Sequence, residues 1–143
     1  AETPRARLRS LLEALVFTTV AAGAPAVTYA LAPHLAIAAT FGAAYEHLQA
    51  DLWRFGISMM LYAHANLALS YLIARQRWRV IAPLLAVQLV QGALLAVAHA
   101  DARTIADTQI AVMTLMNLLT WPMVVSALRT PRTNREHGQP VRI

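Results

Sequence analysis

The sequence has no cysteine and no lysine, and only 13% of its 143 residues are charged. Without cysteine, disulfides and thiolate metal sites are excluded, and the redox compartment leaves no mark. Without lysine, all twelve basic side chains are arginines. Also missing are a glycine-rich phosphate loop, a His-Glu-x-x-His motif and any Ser-His-Asp set that can be placed in space. The sequence therefore supports no enzyme chemistry and implies no cofactor.

What the chain has instead is apolar length. Apolar residues make up 58% of it, and the mean hydropathy is +0.49, above that of ordinary globular domains. Four runs carry almost no charge: residues 14–45, 55–74, 80–98 and 108–128. A helix needs about 20 apolar residues to cross a hydrocarbon core, and each run is long enough. The expectation is an all-α integral membrane bundle of four transmembrane helices, over residues 11–31, 51–74, 80–99 and 105–128. This domain, residues 11–128, follows an arginine-rich approach at 1–10 and precedes a polar tail at 129–143 that is expected to be disordered.

A net charge of +5 and a pI near 10.7 would suit nucleic acid, but the positions of the charges argue against it. Ten arginines fall in three clusters: Arg5, Arg7 and Arg9; Arg75, Arg77 and Arg79; and Arg129, Arg132, Arg135 and Arg142. The other two, Arg54 and Arg103, share their loops with Glu46, Asp51, Asp101 and Asp107. Arginine in short loops marks the cytoplasmic side. Both termini and the loop at 75–79 are therefore expected inside, with the loops near 46 and 101 outside. The basic clusters set topology and meet anionic membrane lipid. A cleaved signal peptide fits the first 30 residues poorly, because Glu13 interrupts the apolar part and the run continues beyond it.

Punctuation divides the runs. Gly23 and Pro25 predict a kink in the first span. Pro33 breaks the run and leaves a segment too short to span, expected to be interfacial or tucked against the bundle. Gly42 ends it. Short connections predict that the second, third and fourth spans are antiparallel neighbours.

Two groups of residues are candidates for chemistry. Glu46, His47, Asp51 and Arg54 lie within nine positions, and on an α-helix His47 and Asp51 would share a face. Zinc would require a further ligand in fixed geometry, so no metal site is assigned and the group is taken as the wet rim of a span. Inside the spans lie His64, Asn66, Gln88, Gln91 and Asn117, with Thr114 and Thr120. Polar groups at membrane depth are costly and should face other helices or a wet cavity. The three-residue spacings of Gln88/Gln91 and Thr114/Asn117/Thr120 predict one polar stripe each. Such stripes serve either interhelical hydrogen bonds, worth about 0.6–2 kcal/mol each, or a substrate or ion pathway. His64, near mid-membrane, is the best single candidate for a titrating group.

The order of these features resembles the C-terminal part of bacterial polysaccharide and O-antigen flippases, members of the multidrug/oligosaccharidyl-lipid/polysaccharide exporter superfamily. The matching residues are Leu31, Ala32 and Pro33, then Phe41, Gly42 and Tyr45, then Tyr71, Leu72, Ala74 and Arg77. The likeness covers roughly residues 3–128. It implies that the four spans are the last four of a longer, two-lobed chain in the bacterial inner membrane, which moves a lipid-linked oligosaccharide by alternating access. The implied partners are membrane lipid, the lipid-linked oligosaccharide, and either the remaining helices or other copies. Pro33, Phe41, Gly42 and Tyr45 carry over as structural signature only, and no matched position carries over a substrate-binding role. A drug/cation antiporter of the same superfamily and a four-span scaffold or subunit protein are the alternatives.

Overall fold

A computed structural model describes residues 4–40, 42–77, 81–97 and 101–129 of the chain. The regular structure among them is entirely helical: α1 (Pro4–Leu31), α2 (Pro33–Thr40), a 3-10 segment (Ala43–Asp51), α3 (Leu52–Ala74), α4 (Ile81–Val97) and α5 (Ala102–Arg129). Phe41 and the tail from residue 130 lie outside the described residues.

Three helical stretches are long and apolar enough to cross a membrane: Arg5–Leu31, Ala44–Ala74 and Ala102–Arg129. α4 has 17 residues, or about 25 Å of helix, against the roughly 30 Å of a hydrocarbon core. Its length therefore does not by itself make a fourth span, and residues 78–80 and 98–100 on either side lie outside the described residues.

Local chemistry explains the boundaries. Proline at the first helical position has a preset φ and needs no hydrogen bond, so Pro4 opens α1 and the arginine-rich approach is itself helical. Helix α1 continues unbroken through Pro25. Pro33 opens α2 in the same way as Pro4 opens α1. Gly42 closes α2: its N–H donates to the Ile37 carbonyl at 2.9 Å, and its backbone sits at φ 79°, ψ 175°. Only glycine occupies that region without strain. Helix α3 ends in a Schellman turn, with Gln76 N–H on the Ile73 carbonyl and Arg77 N–H on the Leu72 carbonyl. Gln76 takes the left-handed position at φ 55°, where glycine is the usual occupant. Asp101 caps α5, accepting the Thr104 N–H at 2.6 Å. This bond from the Thr104 backbone, reinforced by the Thr104 side chain, holds the Asp101 carboxyl below the usual carboxylate range.

The helices assemble around α3, which packs on α1 and on α5. Contacts across α1 and α3 pair Ala26 with Gly56, Gly23 with Met60 and Thr19 with His64, so these two run antiparallel. Contacts across α3 and α5 pair Arg54 with Asp107, Leu61 with Asn117 and Arg75 with Ala127, so these two run parallel. Of the expected consecutive neighbours, α4 and α5 do pack on one another, whereas the pairing of α3 with α4 needs correction. α4 rests on α5 rather than α3, and α3 takes as its main partners helices that are not next to it along the chain.

This arrangement brings Leu11 of α1, Leu72 of α3, Leu84 of α4 and Val124 and Ala127 of α5 into one core at one end of the bundle. Arg5, Arg7, Arg9, Arg75, Arg77 and Arg129 belong to the helix ends there, and Asp51, Arg54, Asp101 and Asp107 belong to the opposite end. Arg75 reaches across to the Ala127 carbonyl at 3.1 Å, placing a cation at the last turn of α5, where the helix dipole favours it. At the other end Ile37 of α2, 1% exposed, packs with Ala36, Leu52, Tyr29 and Leu48. The short segment is thus tucked against the bundle.

Side-chain size is distributed as in a membrane protein. Buried positions include Gly56, Ser58, Ala65, Ala68, Ala106 and Ala127, whereas Phe17, Leu31, Leu89 and Val97 are 75–84% exposed. In lipid, small residues let backbones approach and large apolar ones face outward at no cost.

Candidate functional site: polar groups inside an apolar bundle

The end of the bundle that carries Asp51, Arg54 and Asp107 forms a small charge network. Arg54, half-buried at the start of α3, donates from Nε to Asp51 Oδ1 at 3.0 Å and from Nη1 to Asp107 of α5, and its guanidinium lies 4.7 Å from the centre of the Trp53 ring. Glu46 and His47 are exposed on the 3-10 segment. The expected shared face of His47 and Asp51 does not form. A 3-10 helix turns every three residues, so positions four apart point about 120° away from each other. Among the described residues no three His, Asp or Glu side chains converge as a metal site.

Of the residues within the spans, Asn117 makes the most connections. Its Nδ2 donates to the Leu61 carbonyl of α3 at 2.9 Å and to the Met113 carbonyl of its own helix at 2.8 Å. Its Oδ1 accepts the Trp121 Nε1–H at 3.1 Å. Asn117 borders an open groove of about 580 Å3 lined also by Leu61, Thr114, Trp121 and Pro122, but both its donors and its acceptor are already engaged within the protein. Gln91 is buried and donates to Gln109 of α5. Gln91 Oε1 and the Tyr71 hydroxyl have no partner among the described residues.

His64 joins α3 to α1. Its Nδ1 lies 2.7 Å from the Met60 carbonyl and its Nε2 lies 2.9 Å from Thr19 Oγ1. Asn66 and Gln88, by contrast, are exposed. The two predicted stripes therefore wind round their helices. Three residues cover about 300°, so each step falls about 60° short of a full turn. Gln88 faces out and Gln91 in, while Thr114 is exposed, Asn117 half-buried and Thr120 fully buried. Thr120 satisfies its hydroxyl on the Met116 carbonyl at 2.8 Å. Pro33 and Gly42 bracket α2, and Tyr45 is exposed on the 3-10 segment.

Several participants were not picked out by sequence reasoning: Thr19, Gln109, Trp121 as a donor, and Gly56 as a close contact. Depth matching provides a signal for two of them. Gln91 and Gln109 each lie nine residues from position 100, and Thr19 and His64 are equally far from the Phe41–Gly42 junction. Residues equidistant from a turn sit at the same depth in antiparallel helices.

Comparison with protein-family models, with curated proteins and with solved structures returned no match.

Proposed function

We propose that the chain is a four-span unit of the bacterial inner membrane, with its arginine-rich end cytoplasmic, and that it forms part of a transporter that flips lipid-linked oligosaccharide between leaflets. The placement of basic charge at one end supports the orientation. The flippase assignment rests on the sequence likeness at Leu31, Ala32, Pro33, Phe41, Gly42, Tyr45, Tyr71, Leu72, Ala74 and Arg77. The observation that carries it furthest is the shoulder between antiparallel α1 and α3, where α2 is bracketed by Pro33 and a Gly42 held at φ 79°. A backbone break of this kind gives the chain a place to yield when one bundle rocks against another.

Cells lacking the protein are expected to retain lipid-linked oligosaccharide on the cytoplasmic leaflet and to lose surface glycan. Unchanged surface glycan with an unchanged lipid-linked pool rules the proposal out. A second reading, a four-span scaffold or subunit, is favoured by the way Gln91 and Asn117 spend hydrogen-bonding groups on neighbouring helices. An antibody against residues 130–143 separates the two. A native band several times heavier than 15.6 kDa supports the transporter, and a band at 15.6 kDa favours the scaffold.

A further inference from the structure

We propose that the outward groove of α1 is a binding site for an anionic phospholipid, with the phosphate between Arg5 and Arg9 and an acyl chain along Leu8, Leu12, Val16 and Val20. The groove is open, has a volume of about 690 Å3 and runs along the helix from Arg5 to Val20. Its walls are two rows of side chains, each stepping by four residues. Arg5, Arg9, Glu13 and Phe17 form one, and Leu8, Leu12, Val16 and Val20 form the other. Steps of four stack side chains into ridges, and a groove lies between neighbouring ridges. The other side of this stretch, at Leu11, enters the bundle core, while both rows stay exposed.

Length and charge together identify the occupant. From Leu8 to Val20 the apolar part of the groove is about 18 Å long at the rise of an α-helix. One leaflet's share of a hydrocarbon core is about 15 Å, so a single acyl chain fills the groove end to end. The arginines lie at its mouth, at head-group depth. They are one turn apart, which puts their Cβ atoms about 5–6 Å from each other. Guanidinium groups match phosphate oxygens two at a time. Glu13 lies one turn deeper and accepts from Arg9 Nε at 2.8 Å, a bond that uses one of the five guanidinium hydrogens. Arg5, Arg9 and Glu13 sum to one positive charge, the complement of a phosphodiester with one negative charge.

The head group decides which lipid stays. An acyl chain gains no hydrophobic energy on leaving other lipid tails for this groove, because both are apolar. Phosphatidylcholine also brings a phosphate, but its ammonium group cancels the charge. An anionic head group keeps the net attraction, worth about five-fold in occupancy for one unit of charge near a membrane surface. The site requires α1 to lie in a bilayer and stands without the flippase proposal.

Fluorescence quenching in vesicles tests the site. The full chain carries Phe17→Trp as its single tryptophan, with the three native ones replaced by phenylalanine. It is reconstituted in phosphatidylcholine vesicles to which phosphatidylglycerol with brominated acyl chains is added, and in a parallel series brominated phosphatidylcholine. Bromine quenches a tryptophan that it touches, so the two series give the binding constant of the anionic lipid relative to the neutral one. That ratio is expected at about five, and Arg5→Gln or Arg9→Gln should bring it close to one. Glu13→Gln should raise it, a gain that misfolding cannot produce. Arg129→Gln removes the same charge at the same end of the bundle but outside the groove, and should change it by less than about two-fold. Circular dichroism confirms equal helix content in each variant. A ratio of one in the parent chain would overturn the site. So would an equal loss in Arg129→Gln, which would leave only a diffuse surface attraction. Absence of quenching by either lipid would mean that protein covers the groove, and would overturn it as well. No glycan-carrying lipid is present in these vesicles, so the outcome does not depend on the flippase reading.

Discussion

Gly56 of α3 lies so close to Ala26 of α1 that a β-carbon on the glycine would sit 2.8 Å from the Ala26 Cα and 3.1 Å from its Cβ. The backbones touch here because neither residue holds them apart, which is how apolar helices gain dispersion contact in lipid. The same line of contact continues through Gly23 against Met60 to Thr19 against His64. The close crossing therefore sets the spacing at which the histidine meets its hydroxyl.

Replacing Gly56 tests that crossing. Gly56→Ala should force α1 away from α3 and cost about 1–3 kcal/mol, the usual price of overpacking a tight contact. Gly23→Ala is the matched control, because its new methyl would meet only the Met60 sulfur at 4.0 Å. That variant should be neutral, or more stable by up to about 1 kcal/mol through helix propensity. Thermal unfolding in detergent reads both, and equal midpoints would remove the special role of Gly56.

At Gly42 the constraint is the backbone alone. No atom lies within 4 Å of the position a β-carbon would take, yet φ is 79° and ψ 175°. Gly42→Val should cost about 1–3 kcal/mol, whereas Ala43→Val, one residue into the 3-10 segment, should cost less. If the chain acts in a flippase, transport should fall in the same order. Equal stability and activity of the two variants would count against the turn.

Asn117 links α3 to α5 through the Leu61 carbonyl while accepting from Trp121. Asn117→Leu should destabilise the bundle by about 1 kcal/mol, the scale of interhelical hydrogen bonds in membranes. In a Trp121→Phe background the cost should be smaller, because the indole N–H no longer loses its acceptor. A double-mutant cycle by chemical denaturation gives the coupling, and strict additivity would mean that the Trp121 bond contributes nothing.

The Asp101 cap gives a pH dependence with a definite sign. Its folded carboxyl titrates below the ordinary carboxylate value because the ionised form accepts the Thr104 N–H. The stability it adds is present in full above the unfolded value. It is lost as pH falls from there through the lower folded value. Asp101→Asn keeps a capping oxygen without the titration. The difference in unfolding midpoint between wild type and Asp101→Asn should therefore shrink across that acidic window. A difference that stays constant there would show that the cap does not titrate with folding.

The amino-acid sequence determined where helices form and end, because apolar length, Pro4, Pro33, Gly42 and Asp101 act locally. It also determined which helix ends are basic, since the arginines are clustered before any packing occurs. It did not determine which face of each helix turns inward. Spans that are apolar all round give hydropathy nothing to choose between, as lipid and protein interior accept the same side chains. Tertiary structure made that choice through size and hydrogen bonding, at Gly56 on Ala26, Asn117 on Leu61 and Gln91 on Gln109. It also turned the three-residue polar spacings into spirals, so that Thr120 is sealed inside while Thr114 is exposed. Finally, it set α3 against α1 and α5 and left α4 to one side. Chain order does not encode that arrangement, because it depends on which surfaces approach most closely.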